Sequence, residues 1–213
     1  MISEQQFMIG DVPAVRWTPA DDNGALILIA HGGGQHKKAP GVVGRAQRFA
    51  AAGFSVLALD APNHGDRPRT IDPAVLREQA MTGDQTELGA RGAAEWRKAL
   101  DALAPAGPVG FFGVALGAAI GLPLVAADPR ITAAVLGLTA GPLEAAARIR
   151  VPIEFVMQWD DELVPRDAAL ALFDALGSTD KTLHANPGGH LALPRFEVDS
   201  ADRFFRRHLI VGS

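Results

Sequence analysis

Gly113-Val114-Ala115-Leu116-Gly117 carries a glycine two residues to either side of its centre, between one apolar run and another. Glycines so placed permit a strand-to-helix turn too sharp for larger side chains, and such a turn projects its central residue. A serine there acts as a nucleophile, and the N–H of the next residue, here Leu116, stabilises the oxyanion at a helix N-terminus. The central residue of this chain is Ala115, which has no hydroxyl. Downstream come Asp160-Asp161-Glu162-Leu163-Val164-Pro165 and then Asn186-Pro187-Gly188-Gly189-His190. They supply a carboxylate and an imidazole in the chain order nucleophile position, acid, base. Such an imidazole takes the nucleophile's proton and hands it to the leaving group, while the carboxylate holds its tautomer and stabilises its charged form. Upstream, His31-Gly32-Gly33-Gly34 would let backbone N–H groups face a cavity with no side chain in the way.

Each loop also has an ordinary structural use. A glycine triplet after a strand makes a tight turn, and acidic residues before a helix make caps. His190 reads equally as a surface histidine. Asp60-Ala61-Pro62-Asn63-His64-Gly65-Asp66 reads first as a turn with local hydrogen bonds, although it would lie on the same rim. The dinucleotide pattern Gly-x-Gly-x-x-Gly fails because residue 37 is lysine, and no Gly-Lys-Ser/Thr is present. His31, His36, Asp60, His64 and His190 meet no known metal-ligand spacing, so no metal and no cofactor is expected. It is the agreement of all five loops in one order that argues against coincidence.

The elements that must position these loops alternate along the chain. Ala25–Ala30, Phe54–Leu59, Val109–Phe112, Ala133–Leu138 and Ile153–Met157 are continuous apolar runs, which indicates strands covered on both faces; Thr182–Ala185 is a shorter one. Helical spacing lies between them. Val42, Ala46, Phe49 and Ala50 share a face before a stop at Gly53. Leu88, Trp96, Leu100 and Leu103 recur between Gln85 and Ala104, and Ala169, Leu172, Phe173 and Leu176 precede Gly177. Phe205 and Leu209 anchor a last helix. The alternation predicts an α/β fold, a doubly wound and mostly parallel sheet with helices on both faces, in one domain over residues 1–213. Ligands of such sheets bind at the carboxyl ends of the strands. Residues 67–84, with Pro68, Pro73 and Gly83, fit the alternation poorly and are expected to form a short cap or lid.

Composition closes off other classes. Hydrophobic residues are 48% and charged residues 21% of the 213, with a net charge of -4 and no basic stripe, so no nucleic-acid partner is expected. Cysteine is absent, which excludes disulfides and thiolate metal sites. No basic n-region precedes an apolar stretch at the N-terminus, so the expectation is a cytoplasmic protein. Val109 to Ala127 is uncharged over nearly a membrane-spanning length, but its glycines and Pro123 suit a buried strand running into a buried helix, and no membrane partner is expected.

With these motifs in view, the chain resembles the α/β-hydrolase superfamily, most closely its small dienelactone-hydrolase-like and serine-esterase branch. The resemblance runs from about Ala25 to Leu209 and rests on His31-Gly-Gly-Gly34, Asp60-x-Pro-x-His-Gly65, Gly113-x-Ala-x-Gly117, Asp161-Glu-Leu-Val-Pro165 and Gly188-Gly-His190. It implies hydrolysis of a small-molecule carboxylic ester or lactone. Ala115 would stand at the nucleophile position, Asp161 rather than Asp160 as the acid and His190 as the base. Gly33 and Leu116 would be the oxyanion donors. Gly34, Gln35, His36, Lys37 and Trp159, with the 67–84 segment, are expected to shape the substrate pocket. The departure is at the nucleophile: dienelactone hydrolase proper uses a cysteine and serine esterases a hydroxyl. Ser3, Ser178, Ser200 and Ser213 lie far from the elbow in sequence and Ser55 falls inside a strand.

Three readings of Ala115 follow. The alanine replaces a serine in a chain otherwise fully equipped, an exchange of the kind made to trap a substrate or product. Or the protein binds a ligand without turning it over, although such a protein would have no use for Asp161 and His190. Or His190 activates water directly, with no covalent intermediate. The intact remainder of the machinery favours the first.

Overall fold

The computed structural model describes residues 1–72, 74, 75, 78 and 85–210. Eight strands form one sheet in the order β1-β2-β4-β3-β5-β6-β7-β8. The strands are β1 (Ile2–Ile9), β2 (Val12–Pro19), β3 (Leu26–Ala30), β4 (Ser55–Leu59), β5 (Val109–Val114), β6 (Ile131–Gly137), β7 (Ile153–Gln158) and β8 (Lys181–Asn186). From β4 through β8 every pairing is parallel. The loops after β3, β4, β5, β6, β7 and β8 therefore leave from one rim.

The helices are α1 (Pro40–Ala51), α2 (Thr86–Leu103), α3 (Leu116–Ala127), α4 (Leu143–Ala146), α5 (Arg166–Ala175) and α6 (Phe196–Leu209). The sheet separates two apolar cores. Val42, Ala46, Phe49 and Ala50 of α1 join Phe204, Phe205 and Leu209 of α6 on one face. On the other, Trp96 and Leu100 of α2 meet Ile120 and Leu124 of α3 and Leu172 of α5. Phe49 meets Phe205 edge-on, and Trp96 meets Phe111 likewise, at centroid separations of 5.5 and 6.2 Å. Each such fully buried side chain contributes about 1.5–3 kcal/mol of transfer free energy, so the sheet is clamped from both sides. α3 is apolar all round because α2, α4 and the sheet cover it. No helix among the described residues is long and apolar enough to cross a membrane.

The expected architecture is present, with one addition. β1 and β2 form an antiparallel hairpin, and β2 pairs antiparallel with β4. The sequence reading began at Ala25 and had no strand here. β1 is a mostly exposed edge strand written in polar residues, and β2 carries Pro13 and Pro19. Neither has the apolar continuity that marks the inner strands.

Candidate active site

The elbow after β5 forms as its glycines require. Ala115 sits at φ 54°, ψ -120°, a conformation that costs a non-glycine residue of order 1–3 kcal/mol. The surroundings impose it. The Ala115 N–H donates to the Gly137 carbonyl at 3.0 Å, and the Ala115 carbonyl accepts the N–H groups of Ala118 and Ala119 in α3. A Cβ at Gly113 would collide with the carbonyl of Gly117, and one at Gly117 with the carbonyl of Ala30. The two glycines thus let strand and helix close on one another while residue 115 faces the rim.

The loops after β7 and β8 meet beside it. Asp161 Oδ1 accepts the N–H groups of Leu163 at 2.8 Å and Val164 at 2.9 Å, and its Oδ2 lies 2.8 Å from His190 Nδ1. The carboxylate side chain is 2% exposed. An ionised carboxylate only accepts, so His190 Nδ1 carries the proton and Nε2 is left with its lone pair. Asp160 is exposed and accepts the Gly188 N–H instead. The sequence reading overlooked Glu162, whose Oε2 accepts the His190 N–H at 2.9 Å. That hydrogen bond holds the Glu162 carboxyl below its usual range.

The loops after β3 and β4 are bolted together by a buried ionic cluster. Asp60, fully buried, accepts from Lys37 Nζ and the Lys37 N–H, both at 2.8 Å, and from the Asp66 N–H at 3.0 Å. Burial alone would raise the Asp60 carboxyl, but these donors outweigh it and hold it below its ordinary value. Lys37 also reaches Asp66, at 2.5 Å. Burial tends to lower its ammonium, yet the two carboxylates keep it raised. Arg67 makes a bidentate pair with Glu95 of α2. His31 adds a further tie: Nδ1 donates to the Gly32 carbonyl at 2.8 Å, and Nε2 accepts the Ala61 N–H at 3.0 Å. Burial pushes His31 down to about 4, so it stays neutral at ordinary pH and spans the two loops. His64 packs against it at 5.4 Å, with Nδ1 on the Pro62 carbonyl as the local-turn reading expected.

A cavity of about 600 Å³ lies over this rim, within the usual range for small-molecule sites. Gly33, Gly34, Gln35, Ala115, Leu116 and His190 all line it. Three expected pocket residues do not. Lys37 is buried in the ionic cluster with Asp60 and Asp66. His36 is exposed, and its Nδ1 accepts the Lys38 N–H within its own turn. Trp159 is 42% exposed beneath the guanidinium of Arg166, 4.4 Å from its ring centre. The latter two point away because the buried Lys37 and the Arg166 stack fix their loops. Of the expected lid, residues 73, 76, 77 and 79–84 lie outside the described residues. Its first part is tied down where Asn63 Oδ1 accepts the N–H groups of Thr70 and Ile71, and Arg69 lines the cavity.

Two polar residues of the lining each carry a buried nitrogen without a partner among the described residues. Arg45 donates to the Gly41 carbonyl and lies over Phe112, while its Nε has no partner among the described residues. Asn63 Nδ2 is likewise buried and unpartnered. A signal for Arg45 was present: it is a charge set between the apolar helical positions 42 and 46.

No protein-family model matches the sequence, and no curated protein does. Solved structures do match. An esterase from an Arctic intertidal metagenomic library is 32% identical over 98% of this chain and 94% of its own, with a TM-score of 0.83. TT1662 from Thermus thermophilus is 18% identical over 97% and 98%, with a TM-score of 0.79. Dienelactone hydrolase from Anabaena variabilis is 18% identical over 98% of both chains, with a TM-score of 0.69. The chain belongs to the α/β-hydrolase superfamily.

Proposed function

We propose that this chain is a serine-type hydrolase of small carboxylic esters or lactones, working through an acyl-enzyme, in a form whose nucleophile hydroxyl is missing. The observation that carries the reading is the elbow itself. Ala115 keeps a strained backbone at a cavity that His190 also lines, with Asp161 hydrogen-bonded to the imidazole. Similarity to an esterase at 32% identity supports the ester as the bond cleaved.

In the serine form, His190 Nε2 takes the hydroxyl proton and the alkoxide adds to the ester carbonyl. The N–H groups of Gly33 and Leu116 hold the oxyanion, with α3 directed at it. The tetrahedral intermediate collapses and the alcohol leaves with the proton from His190. Water then repeats the sequence and frees the acid. Asp161 keeps the imidazole in the required tautomer throughout.

Losing the nucleophile in such a unit costs about 10⁶-fold in kcat. Ala115→Ser is therefore expected to raise turnover of a short-chain p-nitrophenyl ester by at least ~10³-fold. A serine variant as inert as the parent would end the esterase reading. Ordinary turnover by the parent, abolished by His190→Ala alone, would favour direct water activation.

A second reading, a non-catalytic binder of small molecules, draws on the unpartnered Arg45 Nε and Asn63 Nδ2 of cavity-lining residues. A fluorophosphonate probe separates the two. It labels Ala115→Ser only if base and oxyanion donors are in working positions.

A further inference from the structure

We infer that Glu154, His184 and Glu197 form a binding site for a divalent transition-metal ion such as Zn²⁺, on the sheet face covered by α6. One ligand atom from each of the three lies within 4.8 Å of the others, the only such group among the described residues. Glu154 belongs to β7, His184 to β8 and Glu197 to the first turn of α6. The sequence reading expected no metal and did not single these residues out, because they are separated in the chain and meet only through strand pairing and helix docking.

The hydrogen bonds leave a defined gap. Asn186 Nδ2 donates to Glu197 Oε1 at 2.8 Å, and Glu197 Oε2 lies 2.8 Å from His184 Nδ1. That carboxylate accepts the hydrogen bond from His184 Nδ1, and in the neutral ring the lone pair of Nε2 then faces Glu154, whose Oε2 is 3.8 Å away. A carboxylate behind an imidazole is the usual support of a metal-ligating histidine. Zinc bonds to imidazole nitrogen and carboxylate oxygen are about 2.0–2.2 Å, so one ion spans a gap of 3.8 Å. Glu154 is 4% exposed, and its Oε2 already accepts from Ser200 Oγ at 2.9 Å. Its Oε1 is buried with no partner.

That orphaned oxygen points to a ligand. A buried carboxylate oxygen without a donor is costly. Among the described residues no lysine or arginine pairs with Glu154 or Glu197; Arg203 acts on Glu154 only at longer range. A cation held by His184 Nε2 and by both oxygens of Glu154 would supply the contact that Oε1 lacks. The imidazole edge, 29% exposed, gives entry and room for waters to complete the shell. One nitrogen with carboxylate oxygens suits zinc or cobalt better than calcium or magnesium. The ion would brace β7 and β8, whose following loops carry Asp161 and His190.

The test is titration of the full chain, freed of chelators, with CoCl₂ followed by visible absorption and with ZnCl₂ followed by calorimetry. Expected is saturable one-to-one binding and a rise in Tm with zinc. Glu154→Gln and His184→Gln should each weaken binding by more than ~100-fold, and Glu197→Gln by about 10–100-fold through loss of imidazole support. Glu154→Gln keeps the shape of the side chain, so it decides the matter if His184→Gln fails to fold. His190→Gln should leave the affinity unchanged. Burial alone pushes the Glu154 carboxyl up. If a proton is all that Glu154 holds, neither metal binds up to about 1 mM, which in affinity terms is ~4 kcal/mol, and the proposal falls. It falls equally if binding survives Glu154→Gln and His184→Gln but is lost in His190→Gln.

Discussion

At Ala115 the active-site rim is held by backbone, whereas at His190 it is held by side chains. The elbow owes its shape to Gly113, Gly117 and main-chain hydrogen bonds, none of which involves the side chain of residue 115. The Asp161–His190 arm, the proposed acid and base, depends on Asp161 gripping two N–H groups and one imidazole, and on Glu162 taking the His190 N–H. A site built this way can lose its nucleophile and keep its form. It cannot lose its aspartate and keep its imidazole oriented. The position most exposed to chemical loss is thus the one whose geometry least depends on its own side chain.

The largest effect should fall on the side-chain arm. In an Ala115→Ser background, Asp161→Asn should lower kcat by about 10⁴-fold through the wrong imidazole tautomer. Ester hydrolysis rates for the two serine forms measure it, and a loss under tenfold would break the contrast. Next is the ionic cluster that fixes the loop bearing Gly33. Lys37→Met strands the buried Asp60 carboxylate and should cost about 3–5 kcal/mol. Urea unfolding checks this, and a midpoint equal to the parent's would remove the cluster from the account.

His31 gives a pH signature of somewhat smaller size. Its folded value of about 4 lies below the ordinary 6.5, so the fold prefers the neutral ring while the unfolded chain takes the proton first. Stability should be full above about 6.5, decline as pH falls toward about 4, and lose roughly 3 kcal/mol in all. Urea midpoints across that range should slope in the parent and flatten in His31→Gln; parallel curves would refute the assignment. Smallest is the backbone side. Gly117→Ala forces a Cβ onto the Ala30 carbonyl and should cost about 1–3 kcal/mol. Thermal melting checks it, and an unchanged Tm would mean the elbow has slack that its contacts deny.

Much of this was legible in the chain. The inner strands announced themselves by apolar continuity, and the elbow, acid and base loops by spacing, because short-range constraints write directly into local sequence. Asp161 could be preferred to Asp160 only through a family pattern; the structure separates them by burial and by the Leu163 and Val164 N–H groups. His36 looked like a pocket residue because Gln35 beside it is one, and Trp159 because it follows β7 at the rim, but a hydrogen bond within its own turn holds the first and the Arg166 guanidinium covers the second. Arg45 was masked by the opposite error, since a helix read for its apolar face invites neglect of the charge within it.

By itself the sequence determined the order of elements, the sharpness of the turn at residue 115 and the absence of a hydroxyl there. These depend on residue type and near neighbours alone. Only the tertiary structure decided which polar groups meet: Lys37 with Asp60, Arg67 with Glu95, and Glu154 with His184 and Glu197. Their partners come from different strands and helices. Pairing across a sheet and docking of a helix are long-range events, and burial sets whether such meetings matter.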